Sequence, residues 1–140
     1  ANRKSKKYPE SLIVKIKLMD KIEIKNLKIA GRHGVFDYEK TRDKTFELDI
    51  VLFLDLSAAC KSDNLEDTID YAEIISVVIK EFTKKNYNLI EAVAESVISS
   101  LIKKFNFHKV KLRIRKPHAP IDAEFDTVQV ELERENAKNI

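Results

Sequence analysis

The sequence predicts a single α+β domain, in which a four-stranded antiparallel sheet carries a pair of helices on one face. Three observations predict it. Four stretches alternate apolar and polar residues with the period of a strand. Two stretches between the second and third of these place apolar residues at helical spacing. The resulting order, β-β-α-α-β-β, gives every element one apolar face that two packed layers can bury. At 140 residues the chain fits one domain and is long enough to bury a core without staples.

The elements follow in order. Residues 1–11, "ANRKSKKYPES", read as a leader, and "LIVKIKL" after them alternates apolar and basic residues as an extra edge strand would. The domain proper is expected at residues 19–140, with residues 1–18 as a basic extension. "KIEIKNLKIA" is the first strand of the sheet, with a slip at Asn26 that predicts a bulge. "TFELDIVLFLDL" is the second; Phe46, Leu48, Ile50, Leu52, Leu54 and Leu56 share one face, while Val51 and Phe53 keep the other from being wholly polar. "DYAEIISVVIKEFTKKN" is the first helix, with Asp70 and Glu73 spaced as a capping box and Ile74, Val77, Val78, Glu81 and Phe82 on one face. "NLIEAVAESVISSLIKKF" is the second, with Asn88 and Glu91 in the same capping spacing and a stripe of Leu89, Val93, Val97, Leu101 and Ile102. "KVKLRIRK" and "TVQVELER" complete the sheet, and Glu131 and Glu133 are placed to pair with the basic residues of the former.

Composition bounds the function. Hydrophobic residues make up 44% and charged residues 35%, an ordinary mixture for a globular domain. The single cysteine, Cys60, excludes an internal disulfide and suits a reducing compartment. No apolar run approaches the roughly 18 residues that span a bilayer, and no signal-peptide core is present, so a cytoplasmic protein without membrane contact is expected. The net charge of +3 divides unevenly: six basic residues against Glu10 make residues 1–18 +5, leaving −2 for the rest. The basic arm and the strand Lys109–Lys116 support one rival reading, a small RNA-binding module. Against it, single-strand readers interleave aromatics for base stacking, and this strand has none.

Both glycines of the chain, Gly31 and Gly34, fall in one short stretch, "IAGRHGVFDYEK". Such a concentration predicts a loop of unusual shape, serving either a tight turn or a close approach to a ligand. Glu39 ends this stretch, and Tyr71, Glu91 and Lys116 mark three further places where chemistry is expected. Each has a plainer reading: Glu39 as a loop acid, Tyr71 as a half-buried helix aromatic, Glu91 as a capping acid, and Lys116 as a strand-end lysine. His33, His108 and His118 are scattered, without metal-ligand spacing, so no metal site is expected.

Taken together, "GRHGV" with Glu39 after three intervening residues, "SDNLEDTIDY", "NLIEAVAE" and "KPHAPI" resemble the dihydroneopterin aldolases of folate biosynthesis, over roughly residues 20–135. The resemblance implies the tunnelling fold, in which subunits join their sheets into a barrel. A homo-oligomer, tetramer or octamer, is implied, with active sites between subunits and the charged sheet face lining a hydrated channel. The implied reaction is retro-aldol cleavage of 7,8-dihydroneopterin, with C2′ epimerisation to dihydromonapterin as a side reaction and a dedicated epimerase as the alternative. The dihydropterin ring carries its own C=N electron sink, so no cofactor, metal or lysine imine is implied. By the same resemblance Lys116 is the general base, acting with an ordered water, Glu39 positions Lys116, water or the substrate hydroxyls, and Tyr71 of an adjacent subunit relays a proton. A free lysine has a pKa of about 10.4, and burial beside Arg115 or the pterin is the expected means of lowering it. Glu91 anchors the pterin ring, Leu89 and Ile90 frame it, Val35 and Phe36 lie against it, and Thr68 and Ile69 reach it from the neighbour. The chain departs from the family pattern at residues 42–46, "RDKTF", where a glycine-glutamine pair is common. It departs again at Asp122 and Ala123, where a glycine often follows.

Overall fold

The structure, a computed structural model, describes residues 19–137. The edge strand expected within residues 12–18 lies outside them. Four strands form one antiparallel sheet in chain order: β1 (Asp20–Gly31), β2 (Lys44–Leu54), β3 (Lys109–Lys116) and β4 (Val128–Glu135). Three helices lie between β2 and β3: α1 (Ser57–Ser62), α2 (Tyr71–Thr83) and α3 (Ile90–Lys104).

The inward face of β2, from Phe46 to Leu54, meets Val110, Leu112 and Ile114 of β3 and the apolar stripes of α2 and α3 in one buried cluster. Ile74, Val78 and Phe82 face inward from α2, and Val93, Val97 and Leu101 from α3. Burial of this continuous apolar surface is the main force holding helices to sheet. Between the helices, Glu81 accepts hydrogen bonds from Ser96 Oγ and, at 2.9 Å, from Ser100 Oγ. The Ser96 bond leads the influences that hold its carboxyl below the usual range despite burial.

The bulge forms where the sequence slips. The register breaks between Ile24 and Leu27, and Asn26 takes φ 57°, a conformation asparagine tolerates better than most side chains. The Asn26 N–H then donates to Asp49 Oδ1 at 2.8 Å.

Away from the helices, the sheet face is a lattice of ion pairs. Arg115 makes a fork on Asp49 at 2.7 and 2.9 Å and reaches Glu47 at 3.2 Å. Arg113 pairs with Glu131 at 2.6 Å, and Lys109 with Glu133 at 3.3 Å. The Arg115 guanidinium, outweighing the cost of burial, holds the Asp49 carboxyl down at about 2. These cations of β3 are engaged by acids of neighbouring strands rather than presented to a polyanion.

Three local readings need correction. α1 and the 3-10 turn Leu65–Asp67 lie in a stretch to which the sequence reading assigns no helix or strand. Neither contains a buried residue, so no apolar periodicity announces them. The turn into α1 is instead held by polar contacts, from the Leu56 N–H to Asp20 Oδ2 at 3.0 Å and from the Ser57 hydroxyl to Asp55 at 2.6 Å. Asp70 caps α2 as expected, accepting from the Ala72 N–H at 2.9 Å. Asn88, however, does not cap α3: that helix begins at Ile90, with Leu89 in the capping position and no side-chain cap. The start one residue late puts Glu91 out of register for a capping box. It also leaves Leu89 on extended backbone and 51% exposed, so the buried stripe starts at Ile90 rather than Leu89.

Candidate active site

Residues 32–43 form the loop between β1 and β2, and Gly31 is the last residue of β1. Neither glycine has a positive φ. What requires them is close approach. A Cβ on Gly34 would sit 2.3 Å from Glu39 Cδ and Oε1, and one on Gly31 would sit 2.8 Å from Cε2 of Phe82. The short 3-10 turn Asp37–Lys40 folds Glu39 back across Gly34, where the residue is 7% exposed.

Glu39 is doubly held. Its Oε1 accepts the Phe36 N–H at 3.2 Å, and its Oε2 lies 2.5 Å from Lys116 Nζ at the end of β3. Burial opposes ionisation of this carboxyl, but the Lys116 ammonium and the Phe36 N–H outweigh it and hold its pKa below the usual value. Arg115, the neighbour in sequence, takes no part: its guanidinium belongs to Asp49 and Glu47 on the other face of the sheet. The expectation that Arg115 acts on Lys116 therefore meets the alternation of the strand, which sends the two side chains apart.

His33 fixes the loop, as its place between the glycines suggests. Its ring is 2% exposed and bonds the backbone of Phe82 and Tyr87. His118 escaped the sequence reading as a site neighbour. Its ring stands edge-on to Phe46 at 4.8 Å with a buried Nε2, and burial, helped by Lys116, keeps its pKa below the ordinary value.

A pocket of ≈ 280 Å³ opens beside the Lys116–Glu39 pair. One wall is the glycine loop, through Val35 and Phe36; the other is the start of α3, through Leu89, Ile90 and Glu91. Asn88, Ile121 and Val128 also line it, with Ala119 and Pro120, and none of these was marked as a site residue. Ile121 carries a readable signal, a large apolar side chain 58% exposed just after two prolines. The Glu91 carboxylate is exposed and has no protein partner among the described residues. A bidentate donor such as an amino group beside a ring N–H fits such a carboxylate.

The remaining expected residues lie elsewhere on the chain. Thr68 and Ile69 line a separate cavity of ≈ 590 Å³, together with Asp55, Asp70 and His108. Tyr71, at the first turn of α2, is 65% exposed. One chain thus brings Glu39, Lys116, Val35, Phe36, Leu89, Ile90 and Glu91 to one pocket and keeps Thr68, Ile69 and Tyr71 outside it. Among the described residues no group of three or more His, Cys, Asp or Glu side chains is placed to hold a metal ion, and no helix is long and apolar enough to cross a membrane.

Comparison with known proteins identifies the family. The pattern of the family described as FolB: Dihydroneopterin aldolase matches residues 22–133. The dihydroneopterin aldolase of Streptomyces coelicolor is 35% identical over 116 residues, covering 83% of this chain and 98% of its own. That of Bacillus subtilis is 32% identical over 120 residues, 85% of this chain and 100% of its own. The atomic-resolution structure of E. coli dihydroneopterin aldolase in complex with neopterin superposes with a TM-score of 0.77 at 34% identity, over 83% of this chain and 99% of that one. With the β-β-α-α-β-β order, the glycine loop and the paired lysine and glutamate all in place, the chain belongs to the dihydroneopterin aldolase family.

Proposed function

We propose that this protein cleaves 7,8-dihydroneopterin by a retro-aldol reaction, giving 6-hydroxymethyl-7,8-dihydropterin and glycolaldehyde for folate biosynthesis, in the pocket between Glu39 and Glu91. The observation that carries this reading is the convergence of a lysine–carboxylate pair and an unpartnered carboxylate on one small, mostly apolar cleft. Glu91 accepts two parallel hydrogen bonds from the pterin amino group and the adjacent ring N–H, and the positive end of the α3 dipole favours an anion there. Leu89 and Ile90 frame the ring, and Val35 and Phe36 cover it.

Lys116, held by Glu39 and acting as the neutral amine after giving up its ammonium proton, takes the proton of the C2′ hydroxyl by way of an ordered water. The C1′–C2′ bond breaks, C2′ leaves as the aldehyde carbon of glycolaldehyde, and the bonding pair passes to the ring C6=N5 bond. N5 takes up a proton, giving an enamine; C1′ is then protonated and N5 gives its proton back. Tyr71 relays the proton that reaches C1′. The ring imine receives the electron pair, so the step calls for neither a lysine imine nor a metal-bound carbonyl. Recondensation of the same intermediate on the opposite face of the aldehyde gives dihydromonapterin.

The separation of Tyr71, Thr68 and Ile69 from the pocket supports a site completed by a second copy of the chain. The assembly is a homo-oligomer, tetramer or octamer, with the sheets joined into a barrel. A mixing experiment tests this. Lys116→Ala and Tyr71→Phe chains are each inactive alone, and co-refolded hybrids regain activity because some sites unite intact Lys116 with an intact Tyr71. Hybrid oligomers that form and stay inactive would place both residues in the same chain's site.

The close approach at Gly34 yields a second expectation. Gly34→Ala forces the Glu39 carboxylate away from the loop backbone, and misplacing a positioning group by about 1 Å costs roughly a hundredfold in rate. Steady-state kcat should fall by about that factor with a smaller change in KM. Unaltered kcat in a folded Gly34→Ala protein would show that Glu39 does not position Lys116.

A further inference from the structure

We infer that His33 is a positioning residue that ties the two walls of the pterin pocket together, and that it does so only as the neutral imidazole protonated at Nε2. The inference rests on reading the cleft between Glu39 and Glu91 as the pterin site. One wall is the loop carrying Val35, Phe36 and Glu39. The other is the end of the connection from α2 to α3, at Leu89, with the first residues of α3, Ile90 and Glu91. The loop holds both backbone groups of Tyr87, two residues before Leu89. The Tyr87 N–H donates to His33 Nδ1 at 3.1 Å, and the Tyr87 carbonyl accepts from the Gly34 N–H at 2.9 Å. The opposite side of the ring reaches the Phe82 carbonyl, 2.9 Å from Nε2, at the end of α2.

The partners fix the tautomer. A carbonyl oxygen only accepts, so Nε2 carries the hydrogen; a backbone N–H only donates, so Nδ1 offers its lone pair. The ring cannot turn to suit another arrangement, because it is wedged among Phe82 at 4.6 Å, Phe46 at 5.5 Å and Tyr87 at 5.7 Å. A proton on Nδ1 would set donor against donor and release Tyr87, and with it the approach to Glu91.

Several charged groups surround this ring. Lys116 comes from β3 and carries the Glu39 carboxylate on it. Arg32 and Asp43, from the loop, pair with each other at 2.8 Å. Lys85, after α2, lies 4.8 Å over the Tyr87 ring. Burial, opposed by the Phe82 carbonyl and reinforced by Lys116, sets the His33 pKa below the ordinary histidine value. The clamp is therefore intact at neutral pH and opens as pH falls through that lowered value. Folding stability declines over the same side: below about pH 6.5 the unfolded chain binds the proton first, so stability falls as pH drops toward the folded value.

Neopterin serves as the probe. His33→Asn keeps an acceptor near the place of Nδ1 and does not titrate; His33→Gln reaches only the place of Nε2, keeping the Phe82 bond and losing Tyr87. Neopterin Kd should rise roughly tenfold in His33→Gln and stay within about threefold in His33→Asn at neutral pH. In turnover, His33→Gln raises KM more than it lowers kcat. From about pH 7 to 5 the wild-type affinity should fall relative to His33→Asn, and the amide resonances of Gly34 and Tyr87 should shift with it. A His33→Gln protein that binds like wild type, or a constant ratio of wild type to His33→Asn across that range, overturns the inference. If neither variant folds, the wild-type titration decides alone: a Tyr87 amide that stays put while affinity falls overturns it, and one that moves with affinity supports it. Glu91→Ala separates the two readings. Unchanged neopterin affinity in Glu91→Ala removes the pocket itself, whereas loss there with unaffected His33 variants removes only the clamp.

Discussion

Replacing Lys116 by alanine abolishes measurable turnover of 7,8-dihydroneopterin while leaving pterin affinity within about tenfold of wild type. The two effects separate because both residues line the pocket, and the proposed pose sets Lys116 against the reacting side chain and Glu91 against the ring. Loss of a general base costs about 10²–10⁴ in rate, and the proton of the C2′ hydroxyl has no other nearby lysine to receive it among the lining residues. The substitution also leaves Glu39 buried without its cation. That carboxyl then loses the strongest influence holding its pKa down and is easier to protonate, so a thermal melt belongs beside the kinetics. Single-turnover cleavage measured together with neopterin binding checks the prediction. A folded Lys116→Ala protein with near-wild-type turnover would remove Lys116 as the base.

The second large effect falls on binding. Glu91→Ala should weaken pterin affinity by roughly a hundredfold or more, about 2.7 kcal/mol, since hydrogen bonds to a charged group contribute about 1.5–3 kcal/mol each. Stability should change little, because Glu91 is exposed, caps nothing and has no protein partner among the described residues. Fluorescence titration with neopterin measures the first part and a thermal melt the second. Affinity equal to wild type, or a large loss of stability, would return Glu91 to a purely structural role.

Much of this arrangement is legible in the chain because it rests on period and spacing. The strict alternation of β3 and the looser alternation of β2 mark their inward faces, and the slip at Asn26 marks the bulge. Asp70 stands where a cap belongs and caps α2. Asn88 stands in the same spacing and does not cap, because α3 begins one residue later; a capping pattern specifies a helix start only to within a residue or two. That single-residue shift matters for the proposed site, since it leaves Glu91 out of the cap and free to face the pocket. α1 is invisible to periodicity because it buries nothing.

The site shows the same division. The motifs mark Glu39, Glu91 and Lys116, but the reason for Gly34 is a contact across five residues of loop, with no positive φ involved. The clamp on Tyr87 is tertiary as well: His33 and Tyr87 are 54 residues apart in the chain. The ion-pair lattice is anticipated where Glu131 faces Arg113, whereas the fork of Arg115 on Asp49 depends on the register between β2 and β3, which no single strand reveals.

The most direct test of the central claim is incubation of the assembled protein with 7,8-dihydroneopterin, with products oxidised and separated by fluorescence-detected chromatography. The pocket chemistry predicts 6-hydroxymethylpterin, with a smaller monapterin peak beside it. Monapterin alone would make the protein an epimerase, and no product from a correctly assembled oligomer would contradict the aldolase reading outright.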